Sequence, residues 1–270
     1  MYSNPKSILI TGASNGIGKA LALHYAAPGI TLFISGRDQA RLDDVANACR
    51  NTGATVSGWI GDVTDEAGIR DWIISCDDQR PLHLVIANAG VALGATDVHG
   101  LHQAAVDSIN INVNGVFNTI HPALEIMSLR RPYPVRHAQV ALMSSIMGYA
   151  GMARSPAYSS SKATIKHYGQ ALRGALRGMG IGVSVICPGY VSSAITAKNT
   201  STMPFLISAE KAADIIANGL ARDKPRITFP WQVMLIARLV INLPGLLVDK
   251  LNKPWGVPKL EDQPGHNAPD

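Results

Sequence analysis

The chain is poor in cysteine, lacks any long uninterrupted apolar run and has little imbalance of charge. Each shortage removes a class of protein. Cys49, Cys76 and Cys187 are the only cysteines in 270 residues. They are odd in number and none has Cys-x-x-Cys spacing, which excludes a disulfide scaffold and suits a reducing compartment. His24, His83, His99, His102, His121, His137 and His167 are scattered without metal-ligand spacing, so no metal is expected. Met1-Tyr-Ser-Asn-Pro-Lys6 runs straight into an apolar segment, leaving no room for a signal peptide, and a cytoplasmic location is expected. A formal charge of +5 is a mild bias. Its one basic cluster, Arg130 to His137, reads as a solvated loop. Without a nucleic-acid motif, no nucleic-acid partner is expected.

What is present is an alternation of short apolar runs and helical stretches. Apolar residues make up 47% of the chain, enough for a buried sheet and against disorder. Strands are expected near 7–12, 30–36, 54–61, 82–87, 137–144, 181–187 and 226–229. The alternation implies βαβ units and a parallel sheet. The fold class is therefore α/β: a single-domain, doubly wound parallel sheet with helices on both faces and a site at the strands' C-terminal ends. The domain is expected to cover residues 1–252, with a poorly ordered Pro- and Gly-rich tail over 253–270.

The first apolar run, Ser7 to Thr11, leads into Gly12-Ala-Ser14-Asn15-Gly16-Ile17-Gly18 and then a helical segment. Strand, glycine turn and helix in that order are what a dinucleotide needs, because glycines let the pyrophosphate approach and the helix N-terminus offers N–H groups. A plain structural turn is the competing reading. The second strand ends at Gly36-Arg37. Where an NAD-selecting carboxylate would stand there is a guanidinium able to grip a 2′-phosphate, so NADP(H) is favoured over NAD(H). Alternatively, Arg37 is merely solvated and Asp38 neutralises it. Asn15 stands where a further basic residue would have strengthened NADP(H) selection.

Tyr158 and Lys162 stand one helical turn apart, thirteen residues beyond Ser145, and so share a helix face. An ammonium near a phenol favours the phenolate, lowering the Tyr pKa and fitting it for acid–base work on a carbonyl/alcohol pair. Alone, Tyr-x-x-x-Lys is a weak pattern that chance produces on surface helices.

Together these motifs resemble the short-chain dehydrogenase/reductase family, with its Rossmann-type sheet, from about residue 6 to residue 193. The glycine loop looks like that family's cofactor loop. Asp62-Val63 resembles its adenine-contacting pair, and Asn88-Ala89-Gly90 its Asn-Ala-Gly motif. Asn112 resembles the helix Asn that helps hold a proton-relay water. Ser145, Tyr158 and Lys162 resemble the catalytic Ser, Tyr and Lys. Pro188-Gly189-Tyr-Val191-Ser-Ser193 resembles the segment beside the nicotinamide, with Ser193 in place of the usual Thr. The resemblance implies hydride transfer between NADP(H) and a carbonyl or secondary alcohol, with Tyr158 as general acid/base and Lys162 holding the nicotinamide ribose. It also implies a homodimer or homotetramer. A catalytically inactive nucleotide-sensing or membrane-peripheral scaffold on the same fold is the alternative. From the residues themselves, Asp62 could instead cap the helix near Thr64, Ser144 rivals Ser145, and Asn112 lies between Asn110 and Asn114.

The residues after the Pro-Gly motif, about 193–207, are expected to choose the substrate. They carry Thr196, Lys198, Asn199 and Thr200 before an apolar stretch ending at Ile207. That stretch is either an apolar lid over a lipid-like carbonyl or ordinary packing. The apolar segment 231–248 is interrupted by Arg238, Asn242 and Pro244 and is too short to span a bilayer. Core or dimer packing, a pocket wall and peripheral membrane contact are its three readings.

Overall fold

A computed structural model describes residues 5–94, 98–130, 138–153, 155–193, 203–240 and 242–252. Seven strands form one sheet: β1 (Ser7–Ile10), β2 (Thr31–Gly36), β3 (Thr55–Ile60), β4 (Leu84–Ala87), β5 (Ala138–Met143), β6 (Ile181–Pro188) and β7 (Arg226–Phe229). Their order is β3-β2-β1-β4-β5-β6-β7, and every pairing is parallel. All seven expected strands are present, with no end more than two residues from its expected position.

The sheet is covered on both faces, so its central strands are buried along their whole length and mostly apolar rather than alternating with exposed residues. Successive side chains still point to opposite faces. Ile8 and Ile10 pack with Leu21, Leu42 and Ile216 on one side. Leu9 packs with Trp72, Ile120 and Ile165 on the other. The first face carries α1 (Gly16–Tyr25), α2 (Gln39–Arg50) and α7 (Ala209–Ala221), and the second carries α3 (Glu66–Gln79), α5 (Gly115–Ser128) and α6 (Pro156–Ala175). A helix α4 (Val98–Ile109) runs into α5 through a π-helical turn, Asn110–Asn114.

Helix starts are encoded locally by short polar side chains that take up free N–H groups. Asp38 accepts from Arg41 N to begin α2, Asp65 from Gly68 N to begin α3, and Ser208 from Lys211 N to begin α7. The cap of α3 is thus Asp65 and not Asp62, which removes the capping alternative for Asp62.

Because β4 returns beside β1 after β2 and β3 have been laid down on β1's other side, the strand order reverses between β1 and β4. The crevice at that switch point is where ligands of such sheets bind.

Two expectations are corrected. Arg130, expected in a solvated loop, donates to the Leu82 carbonyl at 2.6 Å and pairs with Asp77, pinning the end of α5 to the loop before β4. The rest of that basic cluster, 131–137, lies outside the described residues. The apolar segment 231–248 forms α8 (Trp231–Val240) and part of α9 (Gly245–Asn252). No residue of α8 is buried, so it is not a core helix of this chain. Trp231, Leu235, Ile236, Leu239 and Leu246 are exposed. No helix among the described residues is long and apolar enough to cross a membrane. The tail 253–270 lies outside the described residues.

Candidate active site

The crevice is a cleft of about 510 Å³ running from Arg37 and Arg41 at one end to Ser145, Tyr158 and Lys162 at the other. Every residue that the sequence assigned to cofactor or chemistry lines it, apart from Gly18 and Asn112. Those two stand behind its wall.

At the switch point, Thr11 at the end of β1 accepts from the backbone N–H groups of Asn88 (3.1 Å) and Ala89 (3.2 Å) through its hydroxyl. Asn88 Nδ2 donates back to the carbonyls of Thr11 (2.9 Å) and Gly12 (3.1 Å). Asn88 therefore bridges the two strand ends and lines the cleft. Thr11 was overlooked as a site residue, although a hydroxyl directly before a glycine turn was visible. Gly12 has φ +66°, and a Cβ there would come within 2.8 Å of Ala89 Cα. A Cβ on Gly18 would meet the Gly12 carbonyl oxygen at 2.3 Å, so Gly18 serves close packing of α1 under the loop. These glycines leave a backbone cradle at the N-terminus of α1 that fits a pyrophosphate. Asn15, the N-cap of α1, accepts from Gly16 N.

At the far end, Asp38 does not neutralise Arg37. Its carboxylate caps α2 and pairs with Arg41 Nε at 3.2 Å. Arg37 pairs instead with Asp62, Nη1 to Oδ2 at 3.3 Å. Asp62 also accepts from the N–H (3.0 Å) and hydroxyl (2.9 Å) of Thr64. Partial burial works against the Asp62 carboxylate, but the Thr64 bonds and the Arg37 charge together hold its pKa below the usual value. Arg41, in the first turn of α2, also lines the cleft. Arg37 stands before the N-cap Asp38, outside the helix, so no helical spacing in the sequence relates the two arginines.

At the chemical end, Ser145 leaves β5 and accepts from Met147 N at 3.1 Å, opening a 3₁₀ turn over Ile146–Gly148. Its hydroxyl donates to the Pro188 carbonyl at 3.4 Å and is the polar group that opposes the rise of the Tyr158 pKa. Ser144, the rival, also lines the cleft, yet its hydroxyl donates to the Lys162 carbonyl at 2.7 Å. Lys162 is buried (3% exposed). Its ammonium lies 5.7 Å from the centre of the Tyr158 ring and donates to the Met143 carbonyl at 3.1 Å.

The helical register thus brings Tyr158 and Lys162 together, but the expected lowering of the phenol pKa is not found. Burial pushes Tyr158 up, opposed by the Ser145 hydroxyl. Burial also lowers Lys162 to about 8. Desolvation disfavours the charged form of each group.

Asn112 is fully buried in the π turn. Its Oδ1 accepts from Val91 N (2.8 Å), while Nδ2 donates to Val91 O (2.9 Å) and to Ser161 Oγ (3.0 Å). Both amide hydrogens are occupied by protein, so the side chain does not donate to a relay water. Ser161 and Val91 are two more partners that linear spacing did not reveal.

Beyond the Pro-Gly motif, Val191 pairs with Ile207 in an isolated parallel bridge. Ser192 N donates to Ile207 O at 2.9 Å. These contacts close the base of the 193–207 segment beside the cleft. Thr196, Lys198, Asn199 and Thr200 lie outside the described residues. Phe205 and Leu206 are exposed, and only Ile207 of that apolar stretch packs against the core.

Sheet order, glycine cradle and cleft together define a Rossmann-type nucleotide-binding domain. Residues 6–204 match the sequence model of the family described as short chain dehydrogenase, and the chain belongs to that family of oxidoreductases. An uncharacterized oxidoreductase of Myxococcus xanthus is 35% identical over 246 residues, covering 90% of this chain and 95% of its own. A ketoacyl reductase of a Nostoc species, HetN, is 29% identical over 214 residues, covering 78% of this chain and 70% of its own. Among solved structures, a Sphingobium yanoikuyae short-chain dehydrogenase in complex with NADPH superposes with a TM-score of 0.75 at 22% identity, covering 98% of both chains. A Burkholderia phymatum relative in complex with NAD gives 0.78 at 21% identity, covering 94% of this chain and 96% of its own. At such identities the likeness shows the fold.

Proposed function

We propose that this protein is an NADP(H)-dependent oxidoreductase that interconverts a carbonyl and a secondary alcohol, with Tyr158 as the general acid/base. The observation that carries the reading is the convergence of Ser145, Tyr158 and Lys162 at one end of a cleft whose other end holds two arginines. The bound dinucleotide supplies or accepts the hydride. Ser145 and Tyr158 hydrogen-bond the substrate oxygen and stabilise the charge that develops there. In reduction Tyr158 donates its proton to that oxygen, and in oxidation it takes the proton back. Its raised pKa keeps it protonated near neutrality, which suits the reductive direction. Lys162 holds the nicotinamide ribose and offers a positive charge behind the phenol.

The 2′-phosphate is bound by Arg37 and Arg41, whose side chains are 65% and 61% exposed. The Arg37–Asp62 pair does not prevent this. An exposed ion pair contributes only about 0–1 kcal/mol, and a phosphate offers Arg37 a better bidentate partner.

The exposed apolar side of α8 and α9 supports association with a second copy of the chain, as a homodimer or homotetramer. Light scattering of the purified protein tests this, with vesicle flotation as the control for a membrane instead.

Replacing Tyr158 with Phe tests the main reading. Turnover of NADPH with a panel of ketones, aldehydes and 3-oxoacyl thioesters should vanish while NADPH binding persists. Near-normal turnover by the variant would overturn the mechanism.

A further inference from the structure

We infer that Ser161 is a positioning residue that fixes Asn112, and with it the back wall of the acid–base centre, in place. The inference rests on the reading of Tyr158 and Lys162 as the acid–base pair.

Ser161 is fully buried on α6 and does not line the cleft. Its hydroxyl donates to the Tyr158 carbonyl at 2.8 Å and accepts from Asn112 Nδ2 at 3.0 Å. Asn112 in turn binds both backbone polar groups of Val91, which lies on the cleft wall. One hydroxyl therefore ties together α6, the π turn and the loop after β4. The Asn112 amide and the Lys162 ammonium also converge on Gly90. An atom at the position of a Cβ there would stand 2.8 Å from Asn112 Oδ1 and 3.2 Å from Lys162 Nζ.

A π turn holds one residue more than an α-helical turn and needs specific contacts to settle where that residue falls. Asn112 and its three bonds supply them. Without the Ser161 hydroxyl, one Asn112 hydrogen is buried with no partner. Such an orphan donor is costly, and the amide relieves it by moving, taking Val91 and the wall beside Lys162 with it. Neighbouring Ser160 is exposed and bonds the Pro156 carbonyl within its own helix at 2.8 Å, so Ser160→Ala is a matched control.

The test compares Ser161→Ala, Asn112→Ala, the double variant and Ser160→Ala in two measurements. Amide hydrogen exchange over residues 88–92 and 110–114, which needs no substrate, should quicken roughly tenfold in Ser161→Ala and not in Ser160→Ala, as expected for one lost buried hydrogen bond. With NADPH and acetoacetyl-CoA as probe, kcat should fall about tenfold while KM for NADPH stays within about twofold. In the Asn112→Ala background, Ser161→Ala should cause almost no further loss, because the two act as one unit. Exchange no faster than in Ser160→Ala, or full additivity of the two substitutions, overturns the inference. If Ser161→Ala does not fold, Ser161→Cys, which keeps the volume and weakens the bond, gives the same comparisons. If the wild-type protein turns over no carbonyl probe, the acid–base reading fails, and hydrogen exchange alone decides whether Ser161 fixes Asn112.

Discussion

The Ser144 hydroxyl donates to the Lys162 carbonyl at 2.7 Å, so the residue before Ser145 anchors the helical turn that carries the lysine. Adjacent serines at the end of β5 thus have different surroundings: Ser145 is the one proposed to meet the substrate oxygen, and Ser144 is turned toward α6. Ser144→Ala should cost about 1 kcal/mol of stability by removing a buried hydrogen bond, measured by urea denaturation. Its effect on kcat should be smaller than that of Ser145→Ala.

Burial of Lys162 makes a pH-dependent prediction. Its pKa falls from an ordinary 10.5 to about 8 in the folded state, so between those values the unfolded chain binds more protons than the folded one. Stability from this residue therefore rises with pH across that window. Below it the folded protein carries the cost of a buried ammonium, on the order of 3 kcal/mol at most. Lys162→Met should abolish turnover yet melt higher than wild type at pH 7. The difference in Tm should shrink as pH climbs past 8 toward 10.

At the other end of the cleft, Arg37→Ala should raise KM for NADPH by roughly tenfold or more and leave KM for NADH nearly unchanged, because only the phosphate pairing is lost. Asp62→Asn retains an oxygen for Thr64 and removes the carboxylate that competes for Arg37. It should improve NADPH affinity by up to about fivefold, the range of an exposed ion pair. Steady-state kinetics with both cofactors, repeated in added salt, checks both variants.

Gly12→Ala should destabilise the protein and abolish cofactor binding together. The position combines φ +66° with a Cβ path to within 2.8 Å of Ala89 Cα, so the strand-end crosslink through Thr11 and Asn88 must open. Cofactor fluorescence titration and thermal melting read the two effects separately.

Much of the fold and site was legible in order along the chain because it is written in local chemistry. Apolar runs bounded by turns marked the central strands, since a strand buried on both faces has little choice but to be largely apolar; the edge strands β3 and β7 are only partly buried and were marked by their place in the alternation with helices. The glycine turn and the four-residue spacing of Tyr158 and Lys162 are likewise properties of neighbours in sequence. Less legible were the roles of polar side chains whose partners lie far along the chain. Asp62, placed in the cofactor site with a helix cap as the alternative, is also the ion-pair partner of Arg37, 25 residues away. Arg130 looked solvated and proved to be tied to Asp77 and Leu82. The partners of the Asn112 side chain, Val91 and Ser161, lie 21 and 49 residues away.

Sequence by itself determined the parallel sheet and the glycine turn, because periodicity and turn chemistry act over a few residues, and the order of its motifs carried the resemblance to the family. Only the tertiary structure decided the electrostatics. Whether a lysine lowers the pKa of a tyrosine depends on how deeply both are buried and on which carbonyl the ammonium meets. At Lys162 that carbonyl belongs to Met143, 19 residues away. Desolvation depends on the whole packed surroundings, and no stretch of sequence contains them.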